Sequence, residues 1–574
     1  MNIFENYLKI TKQIILRNSK ELNIEKNFNY DGIIIEIPPV EYNFDLSTNI
    51  AMILAKKTKK NPKIIAEKIK SYLFADCKDF KKIEIAGPGF LNIKLTDSSL
   101  QKTILKIYKN KISYGSKRTK KKYNIEFVSA NPTGPMHVGH CRGAIFGDVL
   151  ANLLKFNGNS VTKEYYINDY GSQIENFVKS VFLRLREIKY KEKFKLDKDL
   201  YPGTYIIDIA KNILKDDPNI ILTDFKKIFN KLKKNSLHYS MNLIKHDLKN
   251  LGIKHDNFFS ETNLIKNNTV KKTVEKLKKN KFVEEGFLKP PKGNESREWK
   301  KTKKLLFKSS SFGDDTDRSL QKEDGSWTYF ANDVAYHADK ISRKYDHLVN
   351  ILGADHTGYI KRITAAVSAL SKDKVLLKCK VCQLVKLYKG GEPFKMSKRS
   401  GDFITANDLL NEVDKDSIRF MMLSRSNEVE LDFDFDKILE KTKDNPVFYV
   451  QYCYARINSL FRTLNINIED NIHIDKTKFH LNDYENKILR KIFEWPKVIE
   501  TASYKYEPHR IAFYLYDLST LFHSYWSKGN ENEDYKFIVN GKVKNINTLA
   551  IIKLVTIVVE NGMKILGISL PKKM

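Results

Sequence analysis

Apolar positions along this 574-residue chain change their period more than once, and the changes divide it. Over the first 115 residues two periods are mixed. Phe4, Leu8 and Ile15 fall on one helical face, and Gly32-Ile-Ile-Ile-Glu-Ile37 reads as a strand before a second apolar-rich run, Asp45 to Ala55. Asn61-Pro62 is a helix start, a capping side chain followed by a proline already set at helical φ, and the pattern carries the helix through Tyr72. Ile83 to Leu95, broken by Ala-Gly-Pro-Gly, reads as a hairpin.

From Asn124 strand-like and helix-like runs alternate. Asn124 to Val128 ends in a Pro/Gly-rich turn, Ile145, Val149, Leu153 and Phe156 recur at helical spacing, and a βαβ unit closes at Ser160 to Asp169. Lys-rich helical periodicity from Val178 to Lys281 reads as an insertion, at about 176–300. Strand-like runs resume at Leu305 to Lys308, Trp327 to Asp333 and Leu348 to His356, and beyond Leu431 almost everything is amphipathic helix. The pattern predicts an α/β protein. A doubly wound parallel-sheet, Rossmann-like domain (116–430) lies between a small α/β domain (1–115) and an all-α bundle (431–574). The basic run Lys117 to Lys122 marks the first boundary.

Leu549 to Leu566 is the most apolar late stretch, but Lys553, Glu560 and Lys564 interrupt it and it reads as a core helix. Nothing reaches the ~18 clean apolar residues of a membrane span, and the N-terminus has no secretory pattern, so a cytoplasmic protein is expected. Lys and Arg total 101 against 69 Asp and Glu, a net charge of +32. That balance suits a polyanionic partner, and it equally suits AT-rich coding bias filling neutral surface positions with lysine. Five cysteines, Cys77, Cys141, Cys379, Cys382 and Cys453, are too few and odd in number for a disulfide framework. Cys379 and Cys382 have ligand spacing, yet no second pair lies nearby, so no protein-bound zinc or other metal is expected.

Candidate chemistry concentrates in Glu126-Phe-Val-Ser-Ala-Asn-Pro-Thr-Gly-Pro-Met-His-Val-Gly-His140. It places His137 and His140 where a strand turns into a helix, so backbone N–H groups and the helix dipole favour a phosphate, and Gly139 lets a flat ring approach. No Walker loop is present. At 255 residues from His140 begins Lys395-Met-Ser-Lys398, inside the Gly-bounded loop Gly390 to Gly401. His-x-Gly-His and Lys-Met-Ser-Lys in this order resemble the two signatures of class I aminoacyl-tRNA synthetases. Glu126 to Pro135, Tyr165-Tyr-Ile-Asn-Asp169, Phe312-Gly-Asp-Asp315, Trp327 to Lys340 and Asn445 to Tyr452 resemble the arginyl-tRNA synthetases of bacterial type, as do Ala86 to Asn92 and Lys564 to Ser569.

That resemblance implies ATP with Mg2+, arginine and tRNA(Arg) as ligands, a monomer, and a catalytic domain between an N-terminal tRNA-elbow domain and a C-terminal anticodon-binding domain. It implies His137, His140, Lys395 and Lys398 as catalytic groups, with Gly139, Gly353, Asp355, Met396 and Ser397 also at ATP. Glu126, Ser129, Asn131, Tyr329, Asp333 and His356 are implied at the arginine, Asp333 closing a strand-like run that starts near Tyr329. Phe90 and Asn92 are implied at the tRNA elbow and would share one face of a strand. Tyr449, Tyr452 and Arg456 are implied at the anticodon, where aromatic rings beside a cation suit unpaired bases. A guanidinium calls for carboxylates independently of any resemblance. A synthetase for glutamate would show basic residues at these positions and one for cysteine a Cys-rich zinc site, and a non-catalytic tRNA-binding relative would have lost a signature His or Lys.

Overall fold

The computed structural model describes residues 2–25, 28–39, 41–193, 197–287, 302–394 and 404–574. The Asn2 side chain caps α1 (Ile3–Arg17), accepting from the N–H groups of Phe4 and Glu5, and Phe4, Tyr7, Ile14 and Ile15 pack inward. Strands β1 (Ile35–Glu36) and β2 (Leu46–Thr48) precede helices α2 (Ile50–Thr58) and α3 (Pro62–Asp76). Asn61 caps α3 and Pro62 opens it, as the sequence predicts. The expected hairpin is β3 (Phe80–Ala86) with β4 (Phe90–Leu95), and an antiparallel sheet forms in the order β1-β2-β4-β3. The longer strand read at Gly32 to Ile37 shrinks to two residues. Helix α4 (Asp97–Asn110) closes this unit.

The middle of the chain builds a parallel sheet from β5 (Lys122–Glu126), helix α5 (Val138–Phe156) and β6 (Ser160–Ile167). Helices α6 (Ser172–Tyr190), α7 (Thr204–Asp216) and α8 (Phe225–Asn250) follow, and then the chain returns to the sheet as β7 (Asn257–Ser260). After α9 (Glu261–Lys266) and α10 (Thr269–Lys279), β8 (Val283–Gly286), β9 (Lys304–Phe307) and β10 (Arg318–Ser319) form a separate antiparallel sheet. Helix α11 (Tyr329–Ser342) leads to β11 (His347–Gly353), and α12 (Ile360–Ser371) to β12 (Leu376–Cys382). The strand order is β12-β11-β5-β6-β7, all parallel. The chain therefore winds outward from β5 in one direction, then crosses over and winds in the other. The crevice lies at the carboxyl ends of β5 and β11, where doubly wound sheets bind ligands.

Three expectations need correction. Trp327 to Asp333 is not a strand: Thr328 caps α11 through its hydroxyl, which accepts from the Ala331 N–H, and Asp333 sits in the helix's second turn. Leu305 to Lys308 is a strand of the small antiparallel sheet, not of the parallel one. The Lys-rich stretch is not wholly an insertion either, since β7 within it is an edge strand of the central sheet. The half-buried rings Phe258 and Phe259 give that four-residue strand its anchorage.

Beyond β12 come β13 (Val385–Lys389), β14 (Glu392–Pro393), α13 (Ala406–Glu412), α14 (Lys415–Met421), β15 (Leu431–Asp434) and α15 (Phe435–Leu439). The bundle consists of α16 (Pro446–Thr463), α17 (Asp483–Lys505), α18 (His509–Glu531) and α19 (Ile546–Leu566). The α19 run predicted as core is buried along nearly its whole length.

Bundle and sheet meet at a buried ion-pair node. Arg419 on α14 pairs with Asp148 on α5 at 2.6 Å and donates to the carbonyls of Leu566 (2.8 Å) and Leu251 (3.0 Å). Lys163 on β6 reaches the other Asp148 oxygen at 2.5 Å. Burial alone would raise the Asp148 carboxyl, but the Arg419 and Lys163 cations more than reverse it and hold its pKa low. Gly567 is required beside this node: it sits at φ +71°, and a Cβ there would come 2.3 Å from an Arg419 nitrogen. Removing Arg419 takes one of two cations from the buried Asp148 carboxylate and the donor from the Leu566 and Leu251 carbonyls, so Arg419→Met is expected to destabilise by about 3–5 kcal/mol. A lowered urea midpoint for loss of far-ultraviolet circular dichroism would report it.

Candidate active site

The turn between β5 and α5 is strained where it leaves the strand. Val128 and Ser129 take φ values of +69° and +42°, unfavourable for any side chain and most of all for a β-branched one. Ser129 is held there by two bonds. Its Oγ donates to Glu126 Oε1 at 3.2 Å and accepts from the Tyr166 N–H at 3.1 Å. Asn131, exposed, bridges Asn168, just past β6, and Gln173 on α6.

His137 caps α5 and His140 lies in its first turn, with ring centroids 3.6 Å apart. The His137 N–H donates to His140 Nδ1 at 3.3 Å, which leaves His140 Nε2 as the hydrogen-bearing donor. Burial lowers both pKa values, that of His140 to about 3 with His137 adding to the effect, so the rings are neutral. A Cβ on Gly139 would lie 2.8 Å from the His137 ring, so the glycine leaves room for that imidazole. Just upstream, Asp247 on α8 accepts from the Met136 N–H at 3.0 Å.

The second signature, Lys395, Met396, Ser397 and Lys398, lies outside the described residues. Its downstream flank is joined to the first. Val138 N–H donates to the Ile404 carbonyl (3.0 Å), Ala406 N–H donates to the Met136 carbonyl (2.8 Å), and His137 and Thr405 form an antiparallel bridge.

Across the switch point is an acidic pocket. Asp333, in the second turn of α11, accepts from the Tyr359 hydroxyl. Glu126, at the carboxyl end of β5, pairs with Lys340. Glu261, at the start of α9, is buried and accepts from Asn332 Nδ2 at 2.9 Å. Burial raises the Asp333 carboxyl to about 7, the Tyr359 bond opposing and the nearby charges of Glu126 and Glu261 reinforcing. Glu261 is raised as well, again chiefly by burial. Burial raises the Tyr166 hydroxyl, and the charges of Glu261, Asp333, Glu126 and Asp169 raise it further. Asp169 is fixed from β7 and α9 by Ser260 (2.5 Å) and Thr262 (2.8 Å).

Sequence reasoning missed Glu261 and Tyr359. The first falls in the Lys-rich stretch read as insertion, and the second had no motif to mark it. Tyr329, one helical turn before Asp333, is 62% exposed, an open ring at the rim. Gly353 ends β11, and Asp355 and His356 form an exposed turn after it, 3.3 Å apart. The structure thus brings Glu126, Ser129 and Asp333 together, and groups His356 with Asp355.

At the tRNA positions the result is mixed. Phe90 and Asn92 share one face of β4, but Asn92 is buried between Ser47 and Glu84 on the flanking strands. Of the pair implied at the tRNA elbow, only Phe90 is therefore accessible, and only half so. Tyr449, Tyr452 and Arg456 lie on α16, all half-buried. Arg456 donates to the Tyr452 hydroxyl at 2.8 Å and lies 5.0 Å from the Trp526 ring, while Tyr449 packs 4.3 Å from His523. Cys379 and Cys382 alternate on β12. Among the described residues no cluster of three His, Cys, Asp or Glu side chains is placed to hold a metal, and no helix is long and apolar enough to cross a membrane.

A parallel sheet with two histidines at the first helix and a carboxylate pocket at its switch point defines a class I synthetase core. Residues 103–459 match the family model "tRNA synthetases class I (R), catalytic domain", residues 9–95 match "Arginyl tRNA synthetase N terminal domain", and residues 450–574 match "DALR anticodon binding domain". Over 577 aligned residues the chain is 52% identical to an arginine–tRNA ligase of Pelagibacter ubique, and over 591 it is 44% identical to one of Bartonella bacilliformis. In both cases all of each chain is covered. The arginyl-tRNA synthetase structure of Thermus thermophilus superposes with a TM-score of 0.72, covering 99% of this chain and 100% of that one at 19% identity, a likeness of fold. The chain belongs to the arginyl-tRNA synthetase family.

Proposed function

We propose that this protein is an arginine–tRNA ligase. An arginine carboxylate oxygen attacks the α-phosphorus of ATP, a new O–P bond forms as the bond to pyrophosphate breaks, and the 3′-terminal adenosine of tRNA(Arg) then takes the arginyl group, releasing AMP. One observation carries the choice of arginine: three carboxylates, Glu126, Glu261 and Asp333, converge at the switch point, and among the described residues the Lys340 ammonium pairs with Glu126. Paired, charge-assisted hydrogen bonds to a planar guanidinium suit such a site. Ser129 and Asn131 hold the substrate's α-amino and carboxylate ends, Tyr329 packs along its side chain, and His356 borders it.

His140, with its Nε2–H available, and His137 donate to the α-phosphate as charge builds there. Little covalent help is needed in such a step, so fixed donors do most of the work. Lys395 and Lys398 meet the departing pyrophosphate. Gly139, Gly353, Asp355, Met396 and Ser397 complete the ATP site, and Mg2+ arrives with the nucleotide. The units divide near residues 115 and 430, with Phe90 toward the tRNA elbow and Tyr449, Tyr452 and Arg456 toward the anticodon. The protein acts as a cytoplasmic monomer.

The test is ATP–pyrophosphate exchange over the twenty amino acids, with and without tRNA. Exchange with arginine alone among them supports the reading, and exchange with another amino acid overturns it. Asp333 adds a pH dependence. The carboxyl must lose its proton to pair with the guanidinium, and its pKa of about 7 means that the protonated form dominates below that pH. Arginine affinity should therefore fall as the pH drops below 7, by up to about tenfold per unit, with a proton released on binding near neutrality. Calorimetry in two buffers of different ionisation enthalpy measures that release directly.

A further inference from the structure

Helix α11 presents Asp333, Tyr336, His337 and Lys340 at spacings of three, four and seven, and so on one face. Lys340 is fully buried, although lysine is rarely so without a fixed task. Its ammonium pairs with Glu126, donates to Asn350 Oδ1 at 3.2 Å and lies 4.4 Å from the centre of the Tyr336 ring. Asn350 is the register partner of Glu126 across β11 and β5, so both acceptors are set by the sheet. Asn350 Nδ2 donates to His337 Nε2 at 2.9 Å, which leaves His337 Nδ1–H to donate to the Asp333 carbonyl at 2.8 Å. A closed polar chain thus runs from the backbone of Asp333 through His337, Asn350 and Lys340 to the carboxylate of Glu126.

We propose that Lys340 is a positioning residue: it is the resident cation of the arginine pocket, fixing Glu126 and balancing its charge so that the remaining carboxylates match a single substrate guanidinium. This rests on the reading of Asp333 as the guanidinium's partner. Three carboxylates without a cation would repel one another and would keep their protons to higher pH. The groups facing Asp333 are Glu126 from β5, Tyr166 from β6, Glu261 from α9, His337 and Lys340 from its own helix, and Tyr359 from the turn before α12. Of these, Lys340 is the positive one, and it lowers the Asp333 pKa.

The experiment is the arginine Kd of the full-length protein, measured by calorimetry from pH 5.5 to 9 in wild type, Lys340→Met, Lys340→Gln and Asp333→Asn. Wild type should show a midpoint near 7. Loss of the charge in Lys340→Met should raise it on the order of one pH unit, with binding largely restored at pH 9. Lys340→Gln keeps a hydrogen-bond donor without charge and should show the same shift should Lys340→Met not accumulate folded. An unmoved midpoint in either folded variant overturns the proposal, as does failure of both variants to fold, which would make Lys340 a stability element only. Asp333→Asn separates the two readings. If it leaves arginine binding intact, the pocket assignment falls; if it abolishes binding while the Lys340 variants keep the wild-type midpoint, only the role of Lys340 falls.

Discussion

Alanine in place of His140 should slow arginyl-adenylate formation by about 10²–10³, the loss typical of one fixed donor to developing charge. The ring is half-buried and neutral, and its Nδ1 is occupied by the His137 backbone, so its Nε2–H is left as a fixed donor. A donor that acts chiefly as charge builds stabilises the transition state more than the bound substrates, so arginine and ATP affinities should change little. His137→Ala should behave alike, with the added loss of the ring stacked on His140. Because burial lowers the His140 pKa to about 3 in the free protein, kcat/KM for ATP at saturating arginine should show no limb from His140 around pH 6.5. Single-turnover adenylate formation measures the effect. A rate within a few-fold of wild type would remove that histidine from the mechanism.

Asp333→Asn should have a comparable effect on a different quantity. The substitution leaves a partly buried guanidinium without its charged partner, a loss on the order of 3–5 kcal/mol, or roughly two to three and a half orders of magnitude in arginine affinity. ATP affinity should barely move, since Asp333 lies in α11 and not at the start of α5. Citrulline, the neutral isostere of arginine, gives a second reading: the variant should lose most of the wild-type preference for arginine over citrulline. If ATP is the ligand that weakens, the pocket is assigned to the wrong substrate.

The parts of this site legible in the sequence are those in which one residue type has a strong local consequence. His137, Gly139 and His140 announce a strand-to-helix turn, because a glycine between two rings has few other uses there. Asn61-Pro62 gave its helix start for the same kind of reason. Trp327 to Asp333 misled because its aromatic and apolar residues favour a strand, while the Thr328 cap that starts a helix there is a single weak signal. β7 was hidden because an edge strand of four residues needs only its pairing with β6, and pairing leaves no periodic trace in so short a run. Glu261 was lost with it. Asn92 was placed on the correct face of β4, but the burial of that face follows from packing between distant segments. Arg490 of α17 pairs with Asp45 just ahead of β2, a contact across 445 residues that no local pattern carries.

The most direct measurement is aminoacylation of total tRNA by the purified protein with ATP and each of the twenty labelled amino acids in turn, followed by identification of the charged tRNA. The expected product is arginine alone, esterified to the terminal adenosine of tRNA(Arg), with one AMP formed per ester. An ester of any other amino acid, or no ester from enzyme shown to be folded, would contradict the account.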